Sequence, residues 1–319
     1  MSFPYLRVAG GALLVIAGLV AYSGLSFGAS AALILVFGGA VVLVLALLGH
    51  RPRPWDAAVF IVGVLALSAV SAGYSFGPQS VTYSATRAQL RYNTLSLTVA
   101  SSTGSVSLGF TNRPSLAYQV NFSTAGGIVT PGAGTVTNST AGGVFNLKVS
   151  STWSSVSVRV GRGYSLDFNV TTGTGSIDLE APGAEAIRNV SLYSSTGSIN
   201  AVVDSSALTA LILRADFGSI NLVSHHLGAA GARVPVTLSG TTGSVHMSVE
   251  LARPDAVSLT ASTALGSISQ SLSGFNISQN TKTDLAATAG DLASAENSFV
   301  VTASSSLGSV DVTAGFVPG

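Results

Sequence analysis

Gly175-Ser176-Ile177-Asp178-Leu179, Gly197-Ser198-Ile199-Asn200-Ala201 and Gly218-Ser219-Ile220-Asn221-Leu222 repeat one phrase, with their glycines 22 and 21 residues apart. The phrase is Gly-Ser, a β-branched residue, a polar residue and an apolar one. It recurs as Gly104-Ser105-Val106-Ser107-Leu108, Gly243-Ser244-Val245-His246-Met247, Gly266-Ser267-Ile268-Ser269-Gln270 and Gly308-Ser309-Val310-Asp311-Val312. Ser154-Ser155-Val156-Ser157-Val158 is a copy that has lost its glycine. The spacings after residue 154 are 21, 22, 21, 25, 23 and 42 residues. A period near 22 marks a repeat architecture, in which each unit buries its apolar face only against its neighbours. The last interval is about twice the unit, and Gly290-Asp291-Leu292 is expected to be a worn copy inside it.

A second alternating run precedes each glycine, at 164–171, 190–194, 208–215, 234–238, 257–261 and 299–303. Apolar and polar residues alternating with period two form a half-buried strand. Each unit is therefore strand, small-residue corner, strand and return. A glycine at the corner reaches backbone angles closed to other residues and lets coils approach closely. Stacking makes a parallel β-solenoid, or β-helix-like fold, of roughly ten coils and about 50 Å at about 4.8 Å per coil. Val106, Val156, Ile177, Ile199, Ile220, Val245, Ile268 and Val310 form the predicted inward ladder. An antiparallel sandwich is the competing arrangement; the constant spacing and corner favour the solenoid.

These corners resemble those of the putative-adhesin β-strand-repeat family of bacterial and archaeal envelope proteins. The resemblance covers about residues 95–312. It implies a parallel β-helix-like fold, a place at the cell envelope and often preceding membrane helices. It brings no catalytic residues.

The first 77 residues read differently. No charge occurs from Val8 to Gly49, a stretch too long for one crossing and broken by polar residues at 22–30. Three transmembrane helices are predicted, near 8–21, 31–48 and 57–73, with Tyr5, Tyr22, Trp55 and Tyr74 at the interfaces. The first run is alternatively a cleaved signal peptide flanked by Arg7, although no clean cleavage site follows it. Arg7, Arg51 and Arg53 mark the loops retained in the cytoplasm. Two domains follow: a membrane module, 1–77, in contact with lipid, and an extracytoplasmic β-repeat domain, 78–319. The expected location is a multi-pass cell-membrane protein with its C-terminal domain outside.

Charged residues are only 8% of the chain and the net charge is +1. That leaves no basic field for nucleic acid. With no cysteine, disulfides, cysteine-zinc sites and a thiol nucleophile are excluded. The polar position after each Val or Ile places Asp178, Asn200, Asn221 and His246 in a candidate ladder along the outer face. The ladder reads either as a groove for a glycan or cation, or as a solvated face whose side chains bond along the stack. Asn121, Asn138, Asn169, Asn189 and Asn276 head Asn-x-Ser/Thr sequons and are candidate glycosylation sites. Asp178 and Glu180 share a strand face, but no second acid pair or arginine cluster completes a glycosidase site. Ala125-Gly126-Gly127 and Ala141-Gly142-Gly143 lack a P-loop lysine. His225 and His226 point to opposite strand faces, which disfavours a metal shared with His246. No enzyme activity and no cofactor is expected. The chain reads as a structural or adhesive surface protein making multivalent contacts with glycans or with itself. The alternative is an envelope sensor whose solenoid binds a partner and whose helices join a signalling protein.

Overall fold

The computed structural model describes residues 75–76, 79–89, 92–124, 128–129, 134–231, 233–252 and 256–317, and before them only Ala12 and Val15, which are helical. Apart from those two residues, which fall in the first of them, the three predicted membrane helices lie outside the described residues. Among the described residues no helix is long and apolar enough to cross a membrane. The chain divides into two compact units, Met1–Val81 with Ser123–Ala133, and Thr82–Phe122 with Gly134–Gly319. In the first unit, Ser75–Phe76 pairs antiparallel with Ile128–Val129.

The second unit is all-β and built on two sheets. In spatial order the eleven-stranded sheet runs Asn276–Asn280, Asp284–Gly290, Ala256–Leu265, Ser298–Leu307, Val234–Thr242, Ala210–Phe217, Ile187–Thr196, Ser165–Thr174, Thr94–Thr103, Val144–Ser151 and Thr135–Ala141. The ten-stranded sheet runs Ile268–Leu272, Val310–Phe316, Val245–Leu251, Ile220–Ala229, Ile199–Leu208, Ile177–Glu185, Val106–Thr111, Ser155–Gly161, Leu116–Thr124 and Gln79–Thr86. Eight coils, each one strand in either sheet joined at the corner, stack in parallel register: 144–161, 94–111, 165–185, 187–208, 210–229, 234–251, 298–316 and 256–272. The stack is thus solenoid-like, with eight coils among the described residues where about ten were expected.

Most parallel sheets are covered on both faces and read as unbroken apolar runs. Here the sheets cover each other on one face only. Strands therefore alternate: Thr94–Thr103 and Ser165–Thr174 bury every second residue. The inward ladder is buried at 0–1% exposure at Val106, Val156, Ile177, Ile199, Ile220, Val245 and Val310. Burying such a side chain contributes about 1.5–3 kcal/mol. Ile268, predicted to belong to that ladder, is only half-buried because its strand is the edge of its sheet.

The coils do not stack in chain order. Coil 94–111 lies between 144–161 and 165–185, and the last coil, 298–316, lies between 234–251 and 256–272. The chain starts one position in from one end, adds the terminal coil 144–161 and then crosses to the other side of its first coil; near the other end it skips one position and returns to fill it. The long interval after Gly266 holds no worn coil. Asn276–Asn280 and Asp284–Gly290 form an antiparallel hairpin on the edge strand Ala256–Leu265. Residues 281–283 close that hairpin, and Gly290, at φ 70°, ends its second strand and leads into Asp291-Leu292. There Asp291 accepts bonds from the Ala293 amide and the Ser294 hydroxyl, which hold its carboxyl below the ordinary range. At the opposite edge Thr135–Ala141 folds antiparallel onto Val144–Ser151. The turn is Gly142-Gly143, at φ 58° and 78°, the pair of positive angles a two-residue hairpin requires. The added antiparallel strands thus become the edges of this sheet, the outermost being the five-residue Asn276–Asn280 on one side, and short edge strands are one way to limit further pairing.

Candidate functional site

The corner decides what each face can present. Gly104, Gly175, Gly197, Gly218, Gly243 and Gly308 have φ between 127° and 150°, and the corners stack so tightly that a β-carbon would strike the next coil. At Gly175 it would lie 2.4 Å from the Gly104 carbonyl oxygen, at Gly218 2.3 Å from that of Gly197, and at Gly104 2.5 Å from that of Ser154. These vectors all point toward coil 144–161. That coil ends the column, so no further corner meets a side chain at 154 and serine is tolerated.

The corner serines form a chain of their own. The amide of Ser176 donates to Oγ of Ser105 at 3.3 Å, Ser198 to Ser176 at 3.3 Å, Ser219 to Ser198 at 3.2 Å and Ser244 to Ser219 at 3.3 Å. A further hydroxyl sits three residues before most corners. Ser194 donates to the Gly175 carbonyl at 3.1 Å, Thr263 to Gly308 at 2.8 Å and Ser305 to Gly243 at 2.8 Å. Sequence reading missed these buried hydroxyls, although the signal, Ser or Thr three before Gly, is regular. Each satisfies a polar group that would otherwise be buried without a partner.

The predicted ladder forms. Asp178 lies opposite Asn200, Asn200 opposite Asn221, and Asn221 opposite His246. The Asn200 amide donates to Asp178 at 2.8 Å. Because the last coil is inserted, His246 is next to Asp311, and Asp311 next to Ser269, whose hydroxyl it accepts. Asn200 and His246 are exposed; Asp178 and Asn221 are half-buried. Glu180 lies 3.9 Å from Arg159, both exposed. Among the described residues no group of three His, Cys, Asp or Glu could hold a metal ion.

His225 and His226 belong instead to a carboxylate clamp. Asp204, 6% exposed, accepts amides from Gly183 at 3.1 Å, His225 at 2.8 Å and His226 at 3.3 Å. Burial alone would raise its pKa; the three amides outweigh burial and hold it below the ordinary 3.8. The clamp ties coil 187–208 to the coil on either side, where the strands slip register.

The outer face of the eleven-stranded sheet carries a second polar set that the sequence did not single out. An extra residue between Leu166 and Asp167 pairings turns Arg188 onto Asp167 at 2.6 Å, and Asn189 donates to the same carboxylate at 2.8 Å. Tyr193 donates its hydroxyl to Asp216 at 2.6 Å, which raises the Tyr193 pKa, and Arg214 sits 5.7 Å from the ring centre. Of the sequons, Asn138, Asn169, Asn189 and Asn276 are exposed and Asn121 is half-buried. Asn189 has its amide on Asp167 and its carbonyl accepting from Thr209 at 2.6 Å.

No family model and no curated protein matches the chain. Among solved structures it is similar to a putative cell adhesion protein from Clostridium sporogenes, with TM-score 0.38 and 9% identity over 74% of this chain and 99% of that one. It is also similar to putative adhesins from Parabacteroides distasonis, TM-score 0.28, 11% identity, 74% and 98% covered, and from Bacteroides fragilis, TM-score 0.25, 8% identity, 73% and 96% covered.

Proposed function

We propose that the chain is a surface protein, held in the cell membrane by its N-terminal segment, whose solenoid outside the cell makes structural or adhesive contacts. The observation that supports this is the repetition of polar outward positions in parallel register, coil after coil, on two outer faces. A spacing of about 4.8 Å per coil turns one weak contact into a row of them. Exposed large aromatic residues are single and widely separated among the described residues, Trp153 and Phe217 being the most open. Tight protein interfaces instead cluster such anchors. Many weak contacts suit avidity, where linked sites gain a factor of about 10²–10⁴ without new contacts. In this reading the contacts are non-covalent and the protein hydrolyses nothing.

The test reconstitutes the full chain in lipid vesicles and compares it with the same chain as detergent-solubilised monomer. Vesicles bearing many copies bind cell-wall material or one another, and the monomer binds weakly. Tight one-to-one capture of a soluble protein by the monomer would refute the adhesive role and favour the sensor. Protease added outside intact cells removes the region after Gly77; protection until lysis would reverse the orientation.

A further inference from the structure

We infer that the outer face of the eleven-stranded sheet is a track for an extended neutral polysaccharide, laid along the solenoid axis with about one sugar per coil. The inference rests on the adhesive reading and names its surface and ligand class.

The track is a product of the non-sequential stacking. Thr237-Leu238-Ser239, Thr302-Ala303-Ser304 and Thr260-Ala261-Ser262 are far apart in the chain. Inserting the last coil puts Thr302 between Thr237 and Thr260, and Ser304 between Ser239 and Ser262. The middle residue of each triplet is buried at 3% exposure or less, so the hydroxyls of its two neighbours face outward. No register shift interrupts the ladders that join these three strands to one another, to Ala210–Phe217 and on to Ile187–Thr196. The result is a grid of six hydroxyls, about 4.8 Å apart between coils and about 6.6 Å along each strand. Each can both donate and accept, as sugar hydroxyls do.

The serine row continues into a different chemistry, while the threonine row continues to Ile212 and Ser191. Ser239 lies opposite Arg214, and Arg214 opposite Tyr193. A partly exposed phenol ring held by Asp216 and flanked by a guanidinium offers a stacking surface with planar hydrogen-bonding groups at its rim. The Tyr193 hydroxyl fixes the ring, so little freedom is lost when a ligand lies on it.

Charge selects the ligand. The three grid strands carry no charged residue. In the neighbouring coils Arg214 is beside Asp216 at 3.4 Å and Arg188 beside Asp167 at 2.6 Å, so each charge is compensated locally. An anionic polymer or nucleic acid finds no net positive field here. A neutral polymer with one set of hydroxyls per residue, repeating on the scale of the coil spacing, matches both the period and the charge.

The experiment uses the full chain in lipid vesicles and measures co-sedimentation with particles of cellulose and of chitin. Ser304→Lys places a charge at the centre of the grid, and Tyr193→Ala removes the ring. Asn221→Lys makes the same kind of change on the opposite sheet. All three positions face outward, and unchanged thermal unfolding confirms that the fold is kept. Retention by at least one polysaccharide, reduced about tenfold or more by Ser304→Lys and by Tyr193→Ala, spared by Asn221→Lys and insensitive to salt, is the expected result. No retention on either polymer, or retention that Ser304→Lys leaves unchanged, overturns the track. Loss on Asn221→Lys alone overturns it too and moves binding to the Asp178–His246 ladder. Vesicles that ignore both polymers yet adhere to one another would refute the track and leave the adhesive role standing.

Discussion

Gly197 lies against Gly175 so closely that a β-carbon at 197 would be 2.3 Å from the Gly175 carbonyl oxygen. With φ at 140°, residue 197 also holds a backbone conformation that L side chains rarely adopt. The corner glycine therefore sets how near two coils can come, and with it the register of every residue that follows. Gly197→Ala should destabilise the protein by about 3 kcal/mol or more, combining strain with a backbone clash in mid-stack. Gly142→Ala, at a turn with nothing within 4 Å, should cost about 1 kcal/mol. Denaturant midpoints of the two variants decide the point; equal losses would deny the corner its role.

Position in the stack, rather than the motif, sets the cost of a core substitution. Ile199→Asp puts an unpaired charge at a site with 0% exposure and should cost several kcal/mol, enough to unfold the domain. Ile268→Asp changes the same motif position at the half-buried edge coil and should leave a folded protein. A circular-dichroism melt of each variant shows the difference, and unfolding by both would mean the edge coil is covered.

Asn200→Asp, harmless if the side chain merely faced solvent, acquires a cost from the structure. Asn200 donates to Asp178 at 2.8 Å, and a carboxylate there would oppose another directly across the strands. A loss of about 0.5–1 kcal/mol, smaller at high salt, is expected. A melting temperature independent of salt would show that the Asn200–Asp178 contact contributes nothing.

Asp204 predicts a pH dependence. Its folded-state pKa lies below the ordinary 3.8, so its stabilisation is complete above that value and fades as pH falls through the folded pKa. Asp204→Asn should lower the melting temperature at pH 7, where the carboxylate accepts the Gly183, His225 and His226 amides. The gap from wild type should narrow progressively below about pH 4. A gap that stays constant to pH 2 would mean that charge at Asp204 contributes nothing.

Truncation tests the stacking order. Coil 298–316 is flanked on both sides, so a stop after Asn297 opens an interior position and exposes Val245 and neighbouring ladder residues. Global loss of the cooperative transition is expected. Trimming a terminal coil of a sequential solenoid would only shorten it; a truncated chain that melts like the full one would contradict the observed order.

Much of this protein was determined locally. Alternation in 164–171 and its counterparts specified strands, because a strand has period two and one wet face. The 22-residue phrase specified coils, inward Val and Ile, and outward Asp178, Asn200, Asn221 and His246, because register repeats what each corner sets. Long-range pairing decided the rest. Nothing in the composition of 273–297 distinguishes a coil from a hairpin laid on a sheet edge. Which coil a strand pairs with depends on competition between whole faces, since every unit presents nearly the same one. That competition placed Asp311 beside His246, moved Ile268 to the rim and assembled the Thr-Ser triplets. The eight glycines and serines of the corner column differ for a reason visible only in three dimensions: at Ser154 the stack ends on the side where a β-carbon points, and no neighbouring corner forbids it.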